Sequence, residues 1–170
     1  MKKVFSIAPS FNCSLSCEGC YLTTGVSKEM RDAVKSENYF LRAIEEAATR
    51  GYTEFAISWN PYPGAYEMTK KYIMHAKKLG MTTSTTTVLQ CLTEVDIEFL
   101  ENIDIITISV DDMRFTSVSH FNEKLRWYTM QLPLIVLDTI KENGLDLDII
   151  SNEESVRIVS NVHDTLKSIQ

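Results

Sequence analysis

The sequence lacks any apolar run long enough to cross a membrane, and it lacks any stretch rich in proline, glycine or serine. A bilayer-spanning helix needs about 20 mostly apolar residues, and nothing in this chain approaches that length. The apolar stretch 4–8 is also too short for the core of a secretory signal. We therefore predict a cytoplasmic protein with no membrane contact. Because no linker-like or low-complexity segment interrupts the chain, we predict that residues 1–170 form a single domain.

Positive charge is also scarce. Lys and Arg together number 17, against 23 Asp and Glu, and the formal net charge is −6. Proteins that bind nucleic acid displace counterions from the phosphates with clustered Lys and Arg. No basic stripe occurs in this sequence, and we therefore predict no nucleic-acid partner.

Cysteines are few, but they are not scattered. The chain has 4 of them, of which Cys13, Cys17 and Cys20 form a tight group and Cys91 is distant. Thiols stay reduced in a cytosolic protein, so such a group is more typical of a metal site than of a disulfide framework. We interpret Cys91 as a packed core residue.

Short β-like runs alternate along the chain with segments that have apolar residues at helical spacing. Repeated β-then-α units predict a parallel sheet with helices on its outer face. Five units are too few to close an eight-unit barrel, so we predict an α/β fold that is a partial, open (β/α) barrel with about five parallel strands. The predicted strands are residues 4–8, 54–59, 81–87, 103–110 and 145–150, and the predicted helices are residues 37–50, 65–79, 94–101, 134–142 and the amphipathic C-terminal end.

Two segments have no regular pattern, and one sheet edge is left uncovered. A polar loop of about 25 residues follows the first predicted strand and contains all three clustered cysteines, and residues 113–132 show no clear period. The sheet edge after the fifth strand should be exposed. A second copy of the chain, a partner chain, a protein substrate or a missing C-terminal segment could cover it.

The clustered cysteines have three and then two residues between them. Iron–sulfur clusters are usually held by four thiolates, so a local group of three implies one iron whose fourth position is open. A substrate bound at that iron can receive an electron directly. The alternative is a zinc site whose fourth ligand comes from His75, His120 or Cys91.

The CxxxCxxC group of Cys13, Cys17 and Cys20, directly after the first strand of a partial (β/α) barrel, resembles the signature of the radical S-adenosylmethionine (radical SAM) superfamily. The resemblance implies that the three cysteines ligate a 4Fe–4S cluster and that S-adenosylmethionine chelates the remaining iron. One-electron reduction would then give methionine and a 5′-deoxyadenosyl radical, which takes hydrogen from a small-molecule or peptide substrate. The resemblance also implies an electron donor such as flavodoxin or ferredoxin.

The polar strand ends are similar in order to those of the branch that contains molybdenum-cofactor and peptide-modifying (SPASM-like) enzymes. That branch has a Gly-Gly-Glu turn after the second strand, where this chain has Trp59-Asn60-Pro61, and an aromatic residue before the third cysteine, where it has Gly19. Active sites of such barrels form at the C-terminal ends of the strands. The resemblance implies S-adenosylmethionine contacts at one position of the cysteine loop and at nine strand-end positions: Tyr21, Ser58, Trp59, Asn60, Thr85, Thr86, Ser109, Asp111, Ser151 and Asn152.

Two further functions stay open at this point. An activase that places a glycyl radical on a larger protein partner fits the small size and the uncovered sheet edge. A non-catalytic iron–sulfur or zinc module on a degenerate barrel fits the altered turn after the second strand.

Overall fold

The computed structural model describes residues 2–15, 20, 22, 25–33, 35–110, 135–136, 142 and 146–151. These residues form helices and parallel strands, and β5 is described by its backbone. In chain order the elements are β1 Val4–Ile7, α1 Lys28–Asp32, α2 Glu37–Thr49, β2 Glu54–Ser58, α3 Ala65–Lys78, β3 Thr82–Thr87, a 3₁₀ turn Leu89–Glu94, α4 Ile97–Asn102, β4 Ile105–Val110 and β5 Asp146–Ser151.

The sheet is open, and its strands stand in the order of the sequence, β1-β2-β3-β4-β5. All neighbouring pairs are parallel. Each connection therefore crosses back from one end of the strands to the other. All strands end at the same end of the sheet, which we call the carboxyl edge. The end at which the strands begin is called the amino edge. The predicted α/β class with an open parallel sheet and helices is confirmed.

One face of the sheet carries the hydrophobic core. Phe55, Ile57 and Trp59 lie on this face, with 0%, 1% and 2% of their surface exposed, whereas the alternate residues Ala56 and Ser58 are only half-buried. We call the first face the helix face and the second the open face. The core residues that α2, α3 and α4 contribute against the helix face include Ile44, Ala47, Tyr72, Ile73, Phe99 and Leu100.

Two helices match their sequence predictions to within one residue, because a glycine marks the end of each and a serine cap marks the start of the first. The Ser36 side chain accepts a hydrogen bond from the Tyr39 backbone N–H at 3.3 Å and caps α2. Gly51 and Gly80 follow the last residues of α2 and α3 with φ of 77° and 78°, in the left-handed region that favours glycine at helix ends.

Two predictions were wrong in detail. The helix expected over residues 94–101 begins instead at Ile97, because the Asp96 carboxylate accepts the Phe99 N–H at 2.9 Å and caps it there. The loop expected to run for about 25 residues contains α1, whose cap is Ser27: its hydroxyl accepts the Met30 N–H at 3.2 Å. In both places a side-chain cap determines where the helix begins.

Several predictions fall partly or wholly outside the described residues. The irregular segment 113–132 and the C-terminal helix lie outside them, and of the helix predicted over residues 134–142 only helical residues 135–136 and 142 are described. Within the described part of the chain, no helix combines the length and the apolarity that crossing a bilayer requires.

Hydrogen bonds to a charged side chain stabilise the amino edge of the sheet. Asp104, just before β4, accepts hydrogen bonds from Lys77 Nζ at 2.5 Å, from the Thr83 N–H at 2.8 Å and from the Thr83 hydroxyl at 3.0 Å. Burial raises the pKa of the Asp104 carboxyl group, but the hydrogen bonds from Lys77 and Thr83 outweigh burial, and the pKa lies below its ordinary value of 3.8. The carboxylate therefore joins α3, β3 and the start of β4.

Asp104→Asn should lower the free energy of unfolding by about 1 kcal/mol near neutral pH, since the charge is lost from a side chain that water partly screens. Because the folded-state pKa is depressed, this contribution is complete above the unfolded-state pKa and disappears as pH falls through the folded-state value. The difference between wild type and Asp104→Asn in urea unfolding should therefore shrink as pH falls below 3.8. Glu101→Gln, on the exposed surface of α4, is the control, and a difference that stays constant with pH would contradict the assignment.

Candidate functional site

Residues 13–20, which we call the cysteine segment, leave the carboxyl edge of the sheet after β1. The Ser14 N–H donates to the Pro61 carbonyl at 2.7 Å. Pro61 lies in the loop that follows β2, so this bond fixes the start of the cysteine segment beside the end of the neighbouring strand. Cys13 and Cys20 are both half-buried. Neither residue is thus sealed in the core or fully exposed to solvent.

The sulfur of Cys13 has one backbone hydrogen-bond donor beside it. It accepts a hydrogen bond from the Leu15 N–H at 3.4 Å. Backbone donors of this kind stabilise negative charge on cysteine sulfur, and hydrogen bonds to the sulfurs tune iron–sulfur clusters. A thiolate donor set on a short loop fits an iron–sulfur cluster. Cys17 lies outside the described residues, and among those that are described no group of three ligating side chains occurs.

The three residues named as fourth zinc ligands differ in position. His75 lies near the end of α3, at the amino edge of the sheet, and its Nε2 is 3.2 Å from Glu45 Oε1 on α2. It therefore lies at the edge opposite to the cysteine segment. His120 is outside the described residues. Cys91 follows β3 at the carboxyl edge, the same edge as Cys13.

Cys91 is part of the hydrophobic core, as the sequence predicts. Only 3% of its surface is exposed, and its sulfur lies 4.0 Å from the Trp59 carbonyl oxygen. Burial raises the pKa of the Cys91 thiol, and it outweighs the hydrogen bonds with Thr87 and Val88 that lower the pKa. Zinc binds the thiolate form of cysteine, which this environment disfavours. Cys91 is thus close to the cysteine segment but poorly suited to be its fourth ligand.

Trp59 occupies the position of the first residue in the turn after β2, and its side chain lies on the helix face. Its ring is 5.5 Å from that of Tyr66 in a tilted arrangement and 5.6 Å from that of Phe99 edge to face. The Trp59 N–H donates to the Thr86 carbonyl at 2.9 Å and extends the strand pairing by one residue. The indole therefore packs in the core and does not crowd the open face.

Thr85 and Thr86, which the sequence groups together, lie on opposite faces of β3. Thr85 is 1% exposed, and its hydroxyl donates to the Ile57 carbonyl at 2.9 Å. Thr86 is exposed on the open face. Only Thr86 of this pair can offer its side chain to a ligand on the open face, and Thr85 can contribute through its backbone alone.

The open face carries a row of hydroxyl groups near the carboxyl edge. Ser58 pairs with Thr86 in the β2–β3 register, and Thr86 pairs with Thr107 in the β3–β4 register. Ser109 follows Thr107 by two residues and lies on the same face of β4, because strand side chains alternate. Ser58, Thr107 and Ser109 are half-buried. Sequence reasoning missed Thr107, although its two-residue spacing from Ser109 was a usable signal.

The remaining predicted contacts are only partly described. Asn60 is half-buried beside Pro61, and Ser151 ends β5, where its backbone pairs with Val110 at the carboxyl edge. Tyr21, Asp111 and Asn152 lie outside the described residues.

A cavity of about 320 Å³ opens beside the cysteine segment. It lies between the loop after β2 and the 3₁₀ turn after β3. Its lining combines apolar surface with a few polar groups, and includes Ser14, Trp59, Tyr62, Gln90, Cys91 and Glu94. The carboxyl edge therefore offers two accessible surfaces, this cavity and the hydroxyl row.

Comparison with known proteins adds no family. No protein-family model matches this chain, and no curated protein sequence matches it significantly. An assignment of function therefore depends on the cysteine spacing and on the geometry of the carboxyl edge.

Proposed function

We propose that this chain is a radical SAM enzyme, which holds a 4Fe–4S cluster on Cys13, Cys17 and Cys20 and binds S-adenosylmethionine at the carboxyl edge of its sheet. The observation that carries the proposal is the bond from the Ser14 N–H to the Pro61 carbonyl at 2.7 Å. It fixes the start of the CxxxCxxC segment beside the end of the second strand, where a ligand on the cluster would meet the strand ends.

The hydroxyl row is evidence for the binding of a polar ligand at the carboxyl edge. Ser58, Thr86 and Thr107 lie side by side on adjacent strands, so a ligand on the open face would meet three hydroxyl groups within one register row. Such groups donate to and accept from the amino, carboxylate and ribose groups of S-adenosylmethionine. The burial of Trp59 keeps its large ring away from this row.

The proposal includes the finer architecture. The sheet is the inner wall of a partial (β/α) barrel of about five strands, its open face is the concave interior, and the described helices form part of the outer layer. In barrels of this kind the chemistry occurs at the C-terminal ends of the strands, which is the edge from which the cysteine segment leaves.

Each group of residues has a separate task in this mechanism. The three thiolates bind the metal and leave one position open, while the hydroxyl row orients the ligand's polar groups. When bound, the reduced cluster supplies the electron that splits a carbon–sulfur bond of S-adenosylmethionine. The substrate is a small molecule or a peptide, and the electron comes from a donor of the flavodoxin or ferredoxin type in the cytoplasm.

A zinc module is the second candidate, because Cys91 lies at the same edge as the cysteine segment and a Cys₄ set is a common structural zinc site. Its raised pKa opposes this role, but Cys91 makes the two candidates separable. A Cys₄ zinc site would take Cys91 as the fourth ligand, whereas the radical SAM proposal leaves it in the core.

Purified and reconstituted without oxygen, the wild-type chain should contain about four iron and four sulfide ions. It should release methionine and 5′-deoxyadenosine when given S-adenosylmethionine and a reductant. Cys13→Ala, Cys17→Ala and Cys20→Ala should each lose the iron and the product, because each removes one thiolate. Cys91→Ala, the matched control, should keep both.

Other outcomes identify the alternatives. One zinc per chain that is lost in Cys91→Ala would support the zinc module and contradict the proposal. A stable cluster that releases no 5′-deoxyadenosine would indicate a non-catalytic iron–sulfur protein. Product formed only with a large protein partner present would indicate an activase.

The hydroxyl row can be tested at its centre. Thr86→Val keeps the β-branched shape of the side chain and removes its hydroxyl, so the Kd for S-adenosylmethionine should rise about twofold to tenfold, the value of one hydrogen bond. Anaerobic calorimetry on the cluster-loaded protein measures this change. Thr82→Val is the control, since Thr82 is also exposed and lies on the same face of β3 at the amino edge. Equal effects of the two substitutions would exclude a contact at Thr86.

A further inference from the structure

One side chain bridges the chain before the cysteine segment and the chain after it. Arg31, in the last turn of α1, donates from Nη1 to the Phe11 carbonyl at 2.7 Å and from Nη2 to the Leu22 carbonyl. Phe11 lies two residues before Cys13, and Leu22 lies two residues after Cys20. A single planar guanidinium therefore fixes the separation between the chain entering the segment and the chain leaving it.

Leu22, at one end of this bridge, and Arg31 itself are both anchored in the protein. Leu22 has only 4% of its surface exposed. Arg31 is held by its own helix, where its N–H donates to the Ser27 carbonyl at 3.1 Å. The guanidinium thus ties the backbone at Phe11 to two positions that the fold already holds, Leu22 and α1.

The start of the cysteine segment, at Ser14, has a different attachment. The Ser14 N–H bonds to Pro61 and ties the segment to the loop after β2. Arg31 closes the segment on itself, which lowers the entropy that the loop loses when its thiolates converge on one metal site. The first contact sets where the segment lies, and the second sets how far apart its two ends are.

We propose that Arg31 is a positioning residue for the metal site: by bridging the Phe11 and Leu22 carbonyls it holds Cys13 and Cys20 in a binding arrangement before any metal arrives. This inference rests on the proposed metal-binding function of the cysteine segment. It does not require S-adenosylmethionine chemistry. Residues that orient metal ligands without touching the metal commonly change its affinity about 10- to 100-fold when they are replaced.

The Arg31→Lys variant distinguishes the bridging role of Arg31 from the effect of its positive charge. Arg31→Lys keeps the positive charge and most of the length of the side chain, but one ammonium group cannot span two carbonyls as a guanidinium fork does. If bridging is the role, Arg31→Lys should recover little of the loss seen in Arg31→Ala. Lys28→Ala, on the exposed start of the same helix, controls for a general effect on α1.

The experiment uses the metal-free chain and Co²⁺ as the probe, with sulfur-to-cobalt charge-transfer absorption reporting thiolate binding. Arg31→Ala should weaken Co²⁺ binding about 10-fold or more, and Lys28→Ala should leave it unchanged. The thermal midpoint of the metal-free protein should stay close to wild type in every variant. Amide hydrogen exchange within residues 11–22 should be faster in Arg31→Ala.

The outcomes are distinct. Unchanged Co²⁺ affinity in Arg31→Ala, full recovery by Arg31→Lys, or wild-type protein that binds no Co²⁺ through these thiols would each overturn the inference. If Arg31→Ala does not fold, Arg31→Lys against wild type gives the same decision. Wild-type protein that binds Co²⁺ with the expected Arg31 dependence, yet releases no 5′-deoxyadenosine when loaded with iron and sulfide, would reject the proposed function and leave the inference standing.

Discussion

The parallel register of the sheet is the constraint on which the arrangement of the site depends. Strands that are neighbours in sequence are neighbours in space and run in the same direction, so every strand releases its chain at the carboxyl edge. Ser14 in the cysteine segment and Pro61 in the loop after β2 are 47 positions apart in the sequence. Their backbones meet at 2.7 Å only because the two strands end side by side. A slip of one residue between β1 and β2 would break this contact and turn each open-face residue toward the core.

The same alternation explains how the chain tolerates a tryptophan where the resembled branch has glycine. Trp59 continues the strand by one residue, as its N–H bond to the Thr86 carbonyl shows. Odd-numbered residues of β2 point to the helix face, so the indole joins Tyr66 and Phe99 in the core, and the even-numbered Ser58 remains on the open face. A large ring in this position adds to the stability of the fold, because a well-packed aromatic residue is worth about 3–5 kcal/mol relative to alanine.

The sequence predicts those parts of the fold that local chemistry determines. Residues 37–50 and 65–79 carry their own stop signals, the glycines at 51 and 80, and the structure has helices there. The start of α4 was predicted too early, because the apolar pattern begins before Asp96, the residue whose side chain caps the helix. The sequence predicts which strand ends contribute to the site, but not which face of the sheet each residue occupies. It therefore did not distinguish Thr85 from Thr86. The bridge made by Arg31 depends on the distance between Phe11 and Leu22, which only the folded chain fixes.

The two edges of the sheet are held by different means, and the difference bears on the proposed metal site. At the amino edge, Asp104 joins three elements through charged hydrogen bonds, so that end of the sheet is rigid without any ligand. At the carboxyl edge the contacts of the cysteine segment run through backbone carbonyls, those of Pro61, Phe11 and Leu22. Such contacts fix where the chain enters and leaves while they leave the thiol side chains unoccupied by the bridge itself. For the proposed metal site, contacts that bring together the chain before Cys13 and the chain after Cys20 reduce the entropy that the cysteine segment loses when its thiolates converge on a metal.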